Sequence, residues 1–203
     1  VTSPGRQSSP TRFDDLPTSA AWRHHHGGDG FEVAWFHPTA QGVSIRGATS
    51  AVEGGGLWHV RYAIDVDNQW VTRRVEVTSL SDYGSRRTVI DADGHGRWRV
   101  NGRHSAEMDC CLDIDLESSA MTNTLPLHRL YPDLGILVDT PAVYVRAATL
   151  DVEHLDQTYR RLPAEAGSYR YHYTAASFGF GCVVVMDAAG LVLDYPGIAT
   201  RSA

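Results

Sequence analysis

From Val33 onward the chain alternates apolar and polar residues with a period of two, the pattern of strands with one buried face. The clearest run is 57–67. Trp58, Val60, Tyr62, Ile64 and Val66 fall on one side, and His59, Arg61, Asp65 and Asp67 on the other. After a turn at Asp67-Asn68-Gln69 the alternation resumes. It sets Val71, Arg73, Val75 and Val77 on one face and Thr72, Arg74, Glu76 and Thr78 on the other. The two runs predict a long hairpin. Strands of this length favour a curved sheet or barrel over a compact sandwich. Further strands are predicted over 85–91, 97–100, 111–116, 142–150, 168–174, 178–186 and 191–194. The stretch 151–162 fits a helical stripe (Leu155, Tyr159, Leu162), and its second half equally fits a strand, the reading preferred here.

Residues 1–20 are rich in Ser, Thr, Pro and charge and read as a flexible leader. No composition break divides the remainder, so 21–203 reads as a single β-rich domain. A net charge of −6 argues against nucleic acid as a partner, which calls for a basic surface. No run approaches the ~20 apolar residues that span a bilayer. Three cysteines, two of them adjacent, make no disulfide framework. With no apolar signal segment, the expected location is cytoplasmic.

The segment 111–130, CLDIDLESSAMTNTLPLHRL, is chemically the richest. It places Asp113 and Asp115 on one strand face with Cβ atoms roughly 7 Å apart. Two carboxylates on one strand point to an Asp–Arg network beside a cavity. The candidate partners are Arg73, Arg74, Arg86, Arg87 and Arg129. Acid–base chemistry is the rival reading. A Cys111–His128 pair is a further candidate, weighed against a buried cysteine that merely fills space. His95, His104, Asp109, Asp113 and Asp115 lack metal-ligand spacing, so neither metal nor cofactor is expected. His24-His25-His26 reads as an exposed polar turn. Arg73, between Val71 and Val75 on an apolar face, demands a partner, a ligand or a route to water, since burying an unpaired charge costs several kcal/mol. Tyr169, Tyr171 and Tyr173 share a strand face and can serve as core or as cavity wall.

CLDIDL at 111–116 and TNTLPLHRL at 122–130 also resemble the bacterial proteins grouped as putative glycolipid-binding. NQWVTR at 68–73, DGHGRW at 93–98 with Asn101-Gly102, and GLVLDYP at 190–196 agree with the same family in the same order. The resemblance implies a fold similar to lipoprotein-localisation carriers. With the alternation, it predicts a mainly β architecture with little helix: an antiparallel sheet curved into an open or half barrel around an apolar groove. It further implies non-catalytic binding of a lipid-like or glycolipid ligand. The matched positions are Trp70, Thr72, Arg73, Asp113, Asp115, Thr122, Asn123, Thr124, Arg129 and Tyr195. Two alternatives stand beside it. One is a hydrolase of a lipid or glycoside using Asp113, Asp115 and His128. The other is a scaffold whose groove is closed by a partner.

Overall fold

The structure, a computed structural model, describes residues 13–25 and 28–203. Eight strands come first: β1 (Ser19–His24), β2 (Gly28–Thr39), β3 (Gly42–Glu53), β4 (Gly56–Asp67), β5 (Thr72–Ser81), β6 (Gly84–Ala92), β7 (Trp98–Val100) and β8 (Arg103–His104). A central segment follows, with β9 (Asp113–Leu116), a short helix α1 (Thr124–Leu130), β10 (Leu137–Asp139), β11 (Ala142–Val145) and β12 (Val152–Leu155). The chain ends in β13 (Gln157–Glu165), β14 (Ser168–Ala175), β15 (Phe180–Met186), β16 (Val192–Tyr195) and β17 (Ala199–Arg201).

Fourteen of these strands form one antiparallel sheet in the order β10-β13-β14-β15-β16-β17-β1-β2-β3-β4-β5-β6-β7-β8. The C-terminal hairpins thus join the N-terminal ones through the β17–β1 pairing. Strands β10 and β8 remain as edges, so the sheet is not closed into a barrel. The small sheet β12-β11-β9 packs on its inner face with α1, and their apolar residues share one core with Val60, Ile64 and Val75 of the large sheet.

The expected faces of β4 are observed: Val60, Tyr62, Ile64 and Val66 are buried and Arg61 is exposed. Polar residues on the inner face have defined work. Thr49 donates to the Ser118 carbonyl at 2.6 Å, and Ser79 to the Ala147 carbonyl at 2.7 Å. Each satisfies a buried carbonyl of the central segment that would otherwise lose its hydrogen bond to water. Gly47 pairs with Tyr62 across β3 and β4, and a Cβ there would lie 2.2 Å from the tyrosine ring. The missing side chain makes room for the Tyr62 ring.

Several expectations need correction. Alternation in β5 breaks at a bulge: Asp65 pairs with Arg74 but Val66 with Thr72, leaving Arg73 extra. Arg73 therefore leaves the apolar face and lies partly exposed beside Asp67, at 3.6 Å. Thr72 takes the buried position instead. The predicted strand at 142–150 stops at Val145, and that at 178–186 starts at Phe180, after a turn that ends on Gly179 at φ 58°. The ambiguous 151–162 is strand in both halves. Pro126 lies in the first turn of α1, where its missing N–H removes no helical hydrogen bond. Of the stretch expected to be a leader, residues 1–12 lie outside the described residues. Phe13, however, is buried against the rings of His128, Tyr131 and Tyr169, and Ser19 and Ala20 already belong to β1. In the histidine run, His26 lies outside the described residues. His24 is no exposed turn residue, because Glu32 holds it inside at 3.1 Å.

Candidate functional site

Between the inner face of the large sheet and the β9–β11 layer lies a cavity of about 350 Å³. Strands from both ends of the chain build it. Gly30 and Ala51 come from β2 and β3, Trp58 from β4, Asp115 and Leu116 from β9, Tyr173 and Ala175 from β14, Phe180 from β15, and Tyr195 from β16. Ser119 and Asn123 line it as buried polar groups, and Asp29, Glu53, Glu117, Arg146 and Phe178 also contribute to its walls. Aromatic walls with a few convergent polar groups are the usual composition of a small-molecule site.

Asp115 is the buried carboxylate on this cavity. Thr122 donates to its Oδ1 at 2.8 Å, the single side-chain hydroxyl that reaches it among the described residues. Burial, reinforced by the charges of Asp113 and Glu117, pushes its carboxyl up to about 6. Asn123 is held from the other side, where Tyr159 donates to its Oδ1 at 2.7 Å. Tyr195 stands edge-on to Tyr173 and Phe180, with centroids 5.7 and 6.0 Å away. Burial raises the hydroxyls of Tyr173 and Tyr195 far above the ordinary range, so both stay neutral.

Arg146 stands where the walls meet solvent. It bonds both carboxylate oxygens of Glu153 at 3.1 Å and Glu117 at 3.0 Å, and lies over the rings of Tyr144 and Phe178 at 5.1 and 5.3 Å. Glu117 also accepts the Ala147 amide at 2.7 Å. This network ties the turn after β11 to the turn after β9.

The other matched positions are not on the cavity wall. Asp113 is fully buried and receives Arg129 through two bonds, Nε to Oδ1 at 3.1 Å and Nη2 to Oδ2 at 2.6 Å. Burial pushes the Asp113 carboxyl up, and the guanidinium pulls it back toward the charged form. This is the Asp–Arg network expected from the sequence, with Arg129 as the partner. The other arginine candidates of β5 and β6 serve elsewhere: Arg74 pairs with Asp91 and Arg87 with Glu76. Thr122 and Thr124 are buried in the turn and helix after β9, and the Thr124 hydroxyl has no hydrogen-bond partner among the described residues. Trp70, Thr72 and Arg73 belong to the β4–β5 bulge. There Trp70 stacks on His128 with centroids 3.9 Å apart, and the Thr72 amide donates to Leu112.

The groups of the hydrolytic alternative are therefore dispersed. Asp113 is held by Arg129. His128 is wedged between Trp70 and Phe13 and bonds the Ala189 carbonyl at 2.9 Å, and burial lowers it to about 4, so the ring is neutral. Cys111 faces His154 and not His128, at 3.5 Å, and burial pushes its thiol up to about 12. A thiol so placed is not a nucleophile. Among the described residues, no group of three or more His, Cys, Asp or Glu could hold a metal ion. No helix among them is long and apolar enough to cross a membrane.

Sequence reasoning missed Glu32, Glu117, Arg146, Phe178 and Phe180. The first is the most consequential. Glu32 accepts from Tyr62 at 2.7 Å, from the Ala120 amide at 2.8 Å and from the Ser119 hydroxyl, and it pairs with His24. It fixes the 119–120 turn, and with it the part of the cavity wall that Ser119 forms, to the sheet. Its signal is phase. Glu32 falls on the same alternate positions as Ala34 and Phe36, all buried, while Phe31 and Trp35 point outward and are about half exposed. A run apolar in both phases hides which side is inside.

A solved structure of a DUF1089 family protein from Pseudomonas aeruginosa is similar along the whole chain. It shows 28% identity and a TM-score of 0.72, over 100% of this chain and 98% of that one. A beta-barrel-like protein of the domain of unknown function DUF1849 from Brucella abortus matches at 10% identity and a TM-score of 0.50, over 90% of this chain and 93% of that one. At that identity the likeness concerns the fold alone. No curated protein matches. The family model described as "Putative glycolipid-binding" matches residues 19–201, from the first strand to the last, and the chain belongs to that family.

Proposed function

We propose that this protein binds a lipid-like or glycolipid molecule reversibly in the cavity of its half-barrel, without covalent chemistry. The observation that carries this reading is the cavity itself. Its lining combines Trp58, Tyr144, Tyr173, Phe180 and Tyr195 with the buried polar groups Asp115, Ser119 and Asn123. Aromatic rings offer faces to sugar rings and apolar area to alkyl groups, while the polar groups select for hydroxyls or amides. Membership of a family described as glycolipid-binding supports the same ligand class. In this reading Asp113, Arg129 and His128, all engaged with protein partners, support the site and do not touch the ligand.

Ala175→Phe tests this directly, because Ala175 is buried on the cavity wall and a phenyl group there occupies the ligand's space. The variant should lose at least tenfold in affinity for an amphiphile that the wild type binds, followed by intrinsic tryptophan fluorescence, and keep its melting transition. Unchanged affinity in a folded variant would place binding elsewhere.

A further inference from the structure

Among the described residues three acids are buried: Glu32, Asp113 and Asp115. Two of them face a basic side chain. Arg129 grips Asp113 through two nitrogens, and His24 lies 3.1 Å from Glu32. Asp115 differs. It accepts from the Thr122 hydroxyl and the Leu116 amide, both neutral donors, and forms no ion pair with a described residue. The basic side chains of the cavity wall are engaged elsewhere: Arg146 by Glu117 and Glu153, and His24 by Glu32. With its carboxyl pushed up to about 6, chiefly by burial, Asp115 is still mostly ionised at neutral pH. The fold therefore keeps a buried negative charge without a counter-ion, a costly arrangement unless something offsets it. Asp115 is also the one of the three that lines the cavity.

The walls around Asp115 suit a cation. Tyr173, Phe180 and Tyr195 form a mutually contacting trio, with ring centroids 5.7, 6.0 and 6.2 Å apart. Tyr144 is the neighbour of Asp115 across the β9–β11 pairing. Burial, together with negative charge that includes Asp115, raises the hydroxyls of Tyr144, Tyr173 and Tyr195, so the carboxylate and these rings address the same space. Ring faces attract a cation through the negative charge above and below their planes. The protein already uses this attraction on the same wall, where the Arg146 guanidinium lies over Tyr144 and Phe178. Asp29 and Glu53, neither in an ion pair with a described residue, add further negative charge to the lining. An anionic ligand would meet these carboxylates with no free cation on the wall to offset them.

We propose that the ligand supplies the missing counter-ion of Asp115: the cavity takes an amphiphile bearing a protonated amine, whose N–H groups donate to the Asp115 carboxylate while the rings of Tyr144, Tyr173 and Tyr195 stand around the charge. This assignment rests on the binding reading above and specifies the charge and donor group of the ligand.

The test compares two single-chain amphiphiles with the same tail, octylammonium and octyl β-glucoside, by calorimetric titration below their micellar concentrations. Octylammonium should bind the wild-type protein at least tenfold tighter, and Ala175→Phe should abolish that binding. In Asp115→Asn, which keeps an oxygen to accept from Thr122, the two affinities should come within threefold of each other. Equal or tighter binding of octyl glucoside to the wild type would overturn the counter-ion assignment and leave the binding reading standing. A preference for octylammonium that persists in Asp115→Asn or in Ala175→Phe would also overturn it, because the attraction would then come from the acidic surface at large. If neither probe binds, the molecule retained from a whole-cell lipid extract decides. An amine-bearing adduct upholds the assignment, an amine-free adduct overturns it alone, and an empty protein overturns it together with the binding reading.

Discussion

Glu32 and Asp115 are both buried carboxylates on the inner side of the half-barrel, and the fold treats them oppositely. Glu32 is saturated by Tyr62, Ser119, His24 and the Ala120 amide. Asp113, behind the cavity, is likewise saturated by both arms of Arg129. Asp115 receives the Thr122 hydroxyl and the Leu116 backbone amide, fewer donors than Glu32, and it lines the cavity. A carboxylate whose acceptors are all occupied holds elements together, and removing its partners is costly. One left under-satisfied beside a void is poised to accept from something else. The contrast separates the frame of the site from its working surface.

The largest effect should follow from breaking the frame at Glu32. Glu32→Ala orphans several buried donors at once and should cost about 5 kcal/mol or more in denaturant melts. A cost under about 1 kcal/mol would show that the 119–120 turn is held by other contacts. Arg129→Met leaves Asp113 buried and unpaired and should cost about 3–5 kcal/mol. Adding Asp113→Asn should recover much of that loss, and no recovery would mean that the guanidinium acts through packing.

Asp115 should behave in the opposite sense. Its folded pKa of about 6 lies above its ordinary 3.8, so between about pH 4 and pH 6 the folded state keeps a proton that the unfolded chain has released. Its contribution to stability therefore falls as pH rises through that window, by up to about 3 kcal/mol. Asp115→Asn should match wild type near pH 4 and exceed it at pH 7. Superimposable pH profiles would show that the carboxylate is not under-satisfied. The smallest effect is expected at Arg73. With its partial exposure and long contact to Asp67, Arg73→Leu should change stability by less than about 0.5 kcal/mol and leave ligand affinity unaltered. A tenfold loss of affinity would restore the bulge to the site.

How far the sequence reached depends on the range of the interaction involved. The β4 faces and the antiparallel hairpins were legible, because alternation is local and one side of the sheet is buried. The Asp113–Arg129 partnership was legible as one of five arginine choices. The position of Arg73 was not, since one extra residue at 65–74 flips the phase and leaves no trace in the alternation itself. The cavity was only partly legible. Asp115, Asn123 and Tyr195 are matched positions that the fold brings together. Phe178 and Phe180 join them because the C-terminal hairpins pair back onto β1, and Arg146 because β11 pairs with β9, contacts that no local pattern announces.

The central claim, that the half-barrel encloses a ligand site, is tested most directly by native mass spectrometry of protein exposed to a whole-cell lipid extract, followed by organic extraction of what it retains. The account predicts a one-to-one adduct with a lipid-like or glycolipid molecule, absent from Ala175→Phe. A protein that stays empty, or retains the same lipid with the cavity filled, would contradict it.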